Sequence, residues 1–349
     1  MGGVNGTGYF VLSLEYVIIT ASCFIATIGV AGNLFVLFIC GRLRREAGMY
    51  GIYYASLAFA DLLLMGPCLI PQIWAHCEGH VIETSEFWVQ VWGFTYITAR
   101  MNSILSLSLI SLERMIAVLA PHFYRTRLDA RYATVAVSVC WLLSLTVAVS
   151  PFFLGEGYQY YKGAAIASTN LKLATNPAYF IPTEVLSLYL PTLIIMVSIC
   201  VISWRVRRMR RRDHRITRTL LTVLAAYLAC FTVYFVWVLL RLLHVMDDLP
   251  TPAQLYLQNF AFLILGVHSA INPIIYAFKA AQFKVELRQI NDKALMNCIS
   301  LLLKLRSHSQ PASVAATQTL NTPLQSKRFN NVVVEMEMGS FNGKLRVEC

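Results

Sequence analysis

The sequence predicts an all-α membrane protein: a seven-transmembrane-helix bundle with a short amphipathic membrane-surface helix and a flexible C-terminal tail. Three observations predict it. Of the 349 residues, 57% are apolar and 13% charged, whereas a soluble domain carries roughly a quarter charged residues, and so much apolar surface cannot hide behind a wet exterior. Mean hydropathy is +0.58, and apolar stretches near 15–40, 51–75, 88–119, 132–152, 181–204, 217–243 and 255–278 reach the ~20 residues that cross a hydrocarbon core. Basic residues, finally, gather in alternate loops.

The elements follow in order. No Lys or Arg precedes the first span, so a signal-peptide n-region is missing and that span is expected to serve as an uncleaved insertion signal. Arg42, Arg44 and Arg45 follow the first span, and Arg125, Arg127 and Arg131 follow the third. Eight arginines between Arg205 and Arg218 follow the fifth, and Lys279, Lys284 and Arg288 follow the seventh. The opposite loops, 76–87 and 244–254, have no Lys or Arg, and 153–180 has only Lys162 and Lys172. The positive-inside rule therefore puts the N-terminus outside and the C-terminus in the cytoplasm. Asn5-Gly6-Thr7, a glycosylation sequon at Asn5, lies on the outer side.

Ala280–Ile290 reads as a helix lying on the inner leaflet, with Phe283 and Leu287 on one face and Lys284 and Arg288 beside them. The organisation expected is thus an extracellular N-terminus over 1–14, a seven-span membrane domain with its amphipathic helix over 15–290, and a largely disordered cytoplasmic tail over 291–349. The net charge of +11 does not signal nucleic acid: its densest block is flanked by spans, as a cytoplasmic anchor beside a bilayer would be. The nine cysteines are scattered without a CxxC pair, so neither a metal site nor a disulfide framework is signalled. No nucleophile–base pair or phosphate loop marks an enzyme.

Polar groups at membrane depth each need a reason. Asn33, Asp61, Ser103 and Asn272 fall in the first, second, third and seventh spans and could face one another as a wet polar network. Such a network is a candidate ion or proton site, a sodium ion at Asp61 being the cofactor it would take. The alternative is helix–helix hydrogen bonding with no switching role.

Together these residues resemble the rhodopsin-like (class A) G-protein-coupled receptor family across essentially the whole membrane region. The match runs through Gly32-Asn33, Leu57-Ala58-x-Ala60-Asp61, Glu113-Arg114-Met115 in place of DRY, Pro121 and Tyr124, Trp141, Pro191, and Asn272-Pro273-x-x-Tyr276 followed by Phe283. The resemblance implies a plasma-membrane receptor that passes an extracellular signal to a heterotrimeric G protein, with arrestin and a receptor kinase as further partners. It assigns the coupling switch to Glu113, Arg114 and Tyr276, and suggests Asp213 as a second partner for Arg114, the alternative being a carboxylate favoured by a helix N-terminus. Ser307, Ser309, Ser313, Thr317, Thr319 and Thr322 resemble arrestin-directed phosphorylation sites, the alternative being the Ser/Thr content common to disordered tails, and Cys298 near the inner leaflet is either a palmitoylation site or a plain cysteine. The basic block and membrane-surface helix would also attract anionic membrane lipid.

Three departures stand out. Val89 occupies the position where the family places a disulfide cysteine, and 152–182 contains none, so Cys77 is expected to be unpaired. The sixth span reads Cys230-Phe231-Thr232-Val233 instead of CWxP, without the kinking proline. Ile199 stands where the fifth span usually carries a tyrosine.

The resemblance also narrows the ligand. Tyr96 replaces the aspartate of amine receptors and Gly266 the retinal lysine of opsins, so neither ligand class is implied. Arg100, buried in the third span about 21 Å above Arg114 at 1.5 Å per residue, needs a counter-charge. Either Glu184 pairs with it internally, or Arg100, with Arg241 and His244, receives the carboxylate or phosphate of a small anionic or lipid-like ligand. Trp92, Tyr96, Phe231, Tyr234, Phe235 and Phe262 would supply apolar walls, although aromatics at such spacing are also plain packing. A non-signalling seven-helix scaffold and a proton-coupled transporter using Asp61, Arg100 and Glu184 are the rival readings.

Overall fold

The computed structural model describes residues 6–42, 48–78, 85–161, 166–169, 176–206, 214–242, 245, 251–279 and three short strands near the C-terminus. The expectations for Asn5, Asp213, His244, Ala280–Ile290, Cys298 and the Ser/Thr tail lie outside these residues. So do the side chains of Arg241 and Tyr276.

The chain divides into two units, residues 1–290 and 291–349. In the first, helix α1 is Gly6–Arg42 and helix α2 runs over Gly48–Cys77 with a π-helical turn at Leu64–Leu69. Helix α3 is Glu86–Leu119, the short α4 is Pro121–Arg127 and α5 is Ala130–Phe153. An antiparallel hairpin of β1 (Tyr158–Tyr161) and β2 (Ile166–Thr169) follows. Helix α6 is built from Pro177–Glu184, a π-helical turn Val185–Tyr189 and Leu190–Val206; α7 is His214–Leu242 and α8 is Thr251–Lys279. In the second unit β3 (Lys327–Phe329), β4 (Val332–Glu335) and β5 (Arg346–Glu348) pair antiparallel in that order.

Among the described residues six helices are long and apolar enough to span a bilayer, and α7 adds a shorter apolar run, Leu224–Leu240. With α7 the long helices number seven, each on one of the expected spans. They pack α8 against α1 and α7, and α3 against α2, α5 and α6. Large apolar side chains such as Phe24, Leu142, Leu193, Met196 and Phe260 point outward and exposed, while Asn33, Asp61, Ser103, Glu113 and Asn272 are buried. In water that distribution would be unstable. In hydrocarbon it is required, because lipid solvates apolar side chains and polar groups must find partners inside the protein.

Each π turn lies just before a proline, Pro71 in α2 and Pro191 in α6. A proline ring collides with the carbonyl four residues back and offers no N–H to it, so the turn widens there. Helix α7, lacking the expected proline, is continuous from 214 to 242. Gly32 in α1 faces α8 closely: a Cβ placed there would meet the Pro273 ring at 2.8 Å, so only glycine permits this approach. Trp141 of α5 ties into α2 by donating from Nε1 to Ser56 Oγ at 3.1 Å.

Candidate functional site

Three polar assemblies occupy different depths of the first unit. At mid-depth Asp61 is completely buried. Its Oδ1 accepts from Ser103 Oγ and Ser269 Oγ, both at 2.8 Å, and its Oδ2 accepts from Asn272 Nδ2 at 2.9 Å. Asn33 donates to the carbonyls of Gly29 (2.9 Å) and Ser269 (3.2 Å), so it joins the group through the backbone of α8 rather than through the carboxylate. A carboxylate receiving three donors in a dry interior carries its charge only because those dipoles replace water. Ser269, which completes this set, lies three residues before Asn272 on one helix face, a spacing that could have revealed it.

Near the C-terminal end of α3 Arg114 contacts Glu113, Nε to Oε2, at 3.1 Å. Its guanidinium also lies over the ring of Tyr50, 3.7 Å from the centroid, a cation–π contact between α3 and the start of α2. The Tyr50 hydroxyl is hydrogen-bonded to that of Tyr124 in α4. Burial, followed by the adjacent Glu113 carboxylate, raises the Tyr124 phenol above its ordinary range, so it keeps its proton and remains a donor. Tyr50 was not legible as a partner of Arg114, since nothing in its local sequence marks it.

Toward the other end of α3 lies a cavity of about 280 Å³ whose walls include Tyr96, Arg100, Glu184, Tyr234 and Phe262. Ser168 and Thr169 of the hairpin also line it, as do Trp237 and Gln258, which the sequence reading did not single out. Arg100 is 4% exposed. Its Nη2 meets Glu184 Oε1 at 3.3 Å, its Nη1 donates to Tyr234 Oη at 3.2 Å, and its guanidinium lies 5.6 Å from the Tyr234 ring centroid. Both hydrogen bonds are long against the roughly 2.7–2.9 Å of a tight charge-assisted bond. Arg100 and Glu184 therefore do face each other, through one loose contact rather than a bidentate fork.

Three of the aromatics expected on the walls lie elsewhere. Trp92 packs on Tyr160, with centroids 5.8 Å apart, and lines a smaller neighbouring cavity with Met65 and Cys68. Phe231 stacks between Tyr227 (4.2 Å) and His268 (5.6 Å). Phe235 meets Tyr189 at 5.2 Å. All three contribute packing area that any aromatic of that size supplies.

The hairpin covers this region without a disulfide, and Cys77 is free and exposed. Gln90, next to Val89, does the holding: its Oε1 accepts from the Tyr158 N–H at 2.7 Å and its Nε2 donates to the Tyr158 carbonyl at 2.8 Å. The Tyr158 ring fills the space left by Gly93, where a Cβ would come within 2.4 Å of it, and its hydroxyl donates to the Ala148 carbonyl at 2.7 Å. A side-chain amide thus pairs with a strand's main chain as another strand would.

Comparison with known proteins matches the architecture. The family model described as 7 transmembrane receptor (rhodopsin family) matches residues 32–276. Relatives include the C3a anaphylatoxin chemotactic receptor of Danio rerio, 26% identical over 300 residues, covering 83% of this chain and 81% of the relative. The Free fatty acid receptor 3 of Mus musculus is 23% identical over 326 residues, covering 88% and 98%. The Histamine H2 receptor of Homo sapiens is 26% identical over 304 residues, covering 82% of each. A single family match over residues 32–276 favours neither the scaffold nor the transporter reading. The chain belongs to the rhodopsin family of seven-transmembrane receptors, and its activity is that of a multi-pass membrane receptor signalling through a G protein.

Proposed function

We infer that the chain is a plasma-membrane receptor, N-terminus outside, for a small extracellular ligand whose acidic group meets Arg100, with arrestin and a receptor kinase acting on its cytoplasmic tail. The observation that carries the ligand reading is the loosely held Arg100: a guanidinium on a cavity wall, buried, with one 3.3 Å contact to its counter-ion. Guanidinium grips carboxylates bidentately, and most of that fork is uncommitted here. Tyr96, Tyr234 and Phe262 supply apolar surface around it, as small-molecule sites require. Trp92, Phe231 and Phe235 add packing beside it.

Activation follows from a two-state equilibrium in which Glu113, Arg114 and Tyr276 form the coupling switch and Asp213 restrains Arg114. Asp61, with the hydroxyl oxygens of Ser103 and Ser269, offers the oxygen donor set that hard cations use, and fits a sodium ion. The test is G-protein dissociation in cells, across the major G-protein classes, for wild type, Arg114→Ala and Asp213→Ala at equal surface expression. Signalling that rises in Asp213→Ala and vanishes in Arg114→Ala supports the reading. Signalling unaffected by Arg114→Ala refutes it.

A further inference from the structure

We propose that the ligand is a zwitterion of the α-amino-acid class, its carboxylate on Arg100 and its ammonium on Glu184. The proposal rests on the reading that this cavity receives an acidic group at Arg100, and it specifies the ligand's second charge.

Four polar atoms on the cavity wall are buried and have no hydrogen-bond partner among the described residues: Arg100 Nε, Glu184 Oε2, Tyr96 Oη and Ser187 Oγ. Their residues are each less than a tenth exposed, at 4%, 8%, 7% and 1% respectively. Buried groups of this kind are normally satisfied, and four around one cavity mark a place where something polar docks. They are also of mixed type. Arg100 Nε can only donate, Glu184 Oε2 as a carboxylate oxygen only accepts, and the two hydroxyls do either.

Charge decides between ligand classes. The wall carries one cation and one anion, so it is neutral overall. A singly negative ligand seated on Arg100 would lie beside the Glu184 carboxylate, like charge against like, and would be desolvated with its attraction to Arg100 already partly cancelled. A singly positive ligand on Glu184 meets the mirror problem at Arg100. A neutral molecule with adjacent opposite charges inserts into the pair, giving each wall residue a new counter-ion.

The separation fits as well. The wall charges approach to 3.3 Å, Arg100 Nη2 to Glu184 Oε1. In an α-amino acid the ammonium nitrogen and carboxyl carbon lie about 2.5 Å apart, given bonds of ~1.46 and ~1.52 Å at ~111°. Charged groups one carbon apart, rather than at the ends of a long chain, match so close a pair. The hydroxyls of Tyr96 and Ser187 complete the head group. Trp237 and Phe262, whose rings lie 5.8 Å apart, and the remaining space in the 280 Å³ cavity receive an apolar side chain.

The experiment uses the purified full chain in lipid nanodiscs and reads the shift in its melting temperature. The probes are the twenty standard amino acids, each with its deaminated acid and its decarboxylated amine, at millimolar concentration. The expected result is stabilisation by at least one amino acid at concentrations where its two singly charged analogues give none. For that amino acid Glu184→Gln is expected to weaken binding roughly tenfold or more, the effect of losing a charge-assisted hydrogen bond, while leaving binding of the deaminated acid unchanged or tighter. Because Glu184→Gln leaves Arg100 without its counter-ion and can fail to fold, the wild-type panel stands alone as a test. Deaminated acids that stabilise as well as their parents overturn the zwitterion and leave the acid on Arg100 standing. Stabilisation by amines alone, or by no member of the panel, overturns both.

Discussion

Replacing Tyr50 with alanine should raise the receptor's basal signalling. Arg114 is held by Glu113 at 3.1 Å and by the face of Tyr50 at 3.7 Å, and its side chain is 13% exposed. At that degree of desolvation a cation–π contact contributes about 2 kcal/mol, and the Tyr50–Tyr124 hydrogen bond adds about 0.5–1.5 kcal/mol. On the proposed role of Arg114, a G protein that engages it draws it off this ring, so the loss falls on the resting state alone. A resting bias weakened by roughly 2.5–3.5 kcal/mol multiplies the active-to-resting ratio by about 70 to 400. An active population of about 1% would then rise to roughly 40–80%. Tyr50→Phe keeps the ring and loses only the hydroxyl, so it should shift the ratio about fivefold. The assay is G-protein dissociation per surface receptor without ligand, with the order Tyr50→Ala above Tyr50→Phe above wild type. Basal signalling in Tyr50→Ala equal to wild type, at matched surface density, would show that the ring does not restrain Arg114.

Further outcomes follow from the same contacts. Gly93→Ala drives a methyl into the Tyr158 ring, an overpacking cost of about 1–3 kcal/mol, and Gln90→Ala removes two hydrogen bonds worth about 1–3 kcal/mol together. Either should speed amide hydrogen exchange across 158–161 and 166–169, and unchanged protection in both would discard the clamp. Asp61→Ala strands Ser103, Ser269 and Asn272, at about 1–3 kcal/mol for each donor that finds no substitute. The purified receptor should melt several degrees lower, while Asp61→Asn, which keeps an acceptor oxygen, should recover part of the loss. Gly32→Ala forces α1 away from Pro273 and should lower the melting temperature too. A wild-type melt would show that the helices part without cost.

Much of this arrangement is legible in the residues, for a physical reason. An ionisable group inside an apolar span has to be answered, so Asp61, Ser103 and Asn272 point to one another before any coordinates exist, and Arg100 points to Glu184. Chains of that logic stop at the backbone: Asn33 reaches the network through the Ser269 carbonyl, which no side-chain pattern announces. Aromatics are ambiguous because the same ring serves a cavity wall or a packed interior. Hence Tyr96, Tyr234 and Phe262 line the cavity while Trp92, Phe231 and Phe235 pack beside it. Helical spacing held a signal that could have added Ser187, three residues from Glu184, and Trp237, three from Tyr234. Gln90 and Tyr50 are different. Each acts on a partner far away in the chain, Tyr158 and Arg114, and neither has a local pattern, so only the packed bundle brings them into view. The two π turns were not legible either, because Pro151 and Pro273 sit inside helices that stay α-helical around them.

In the proposed mechanism this bundle turns an event at the Arg100 cavity into nucleotide exchange on a G protein through Arg114. The most direct measurement is GTP-analogue uptake by a purified heterotrimeric G protein on the reconstituted receptor, with and without the amino acid that most raises its melting temperature. Wild type should accelerate uptake over empty nanodiscs and more so with the amino acid, and Arg114→Ala, folded and still binding that amino acid, should abolish both effects. Acceleration that survives Arg114→Ala, or wild-type uptake no faster than empty nanodiscs with every G-protein class, would contradict the claim.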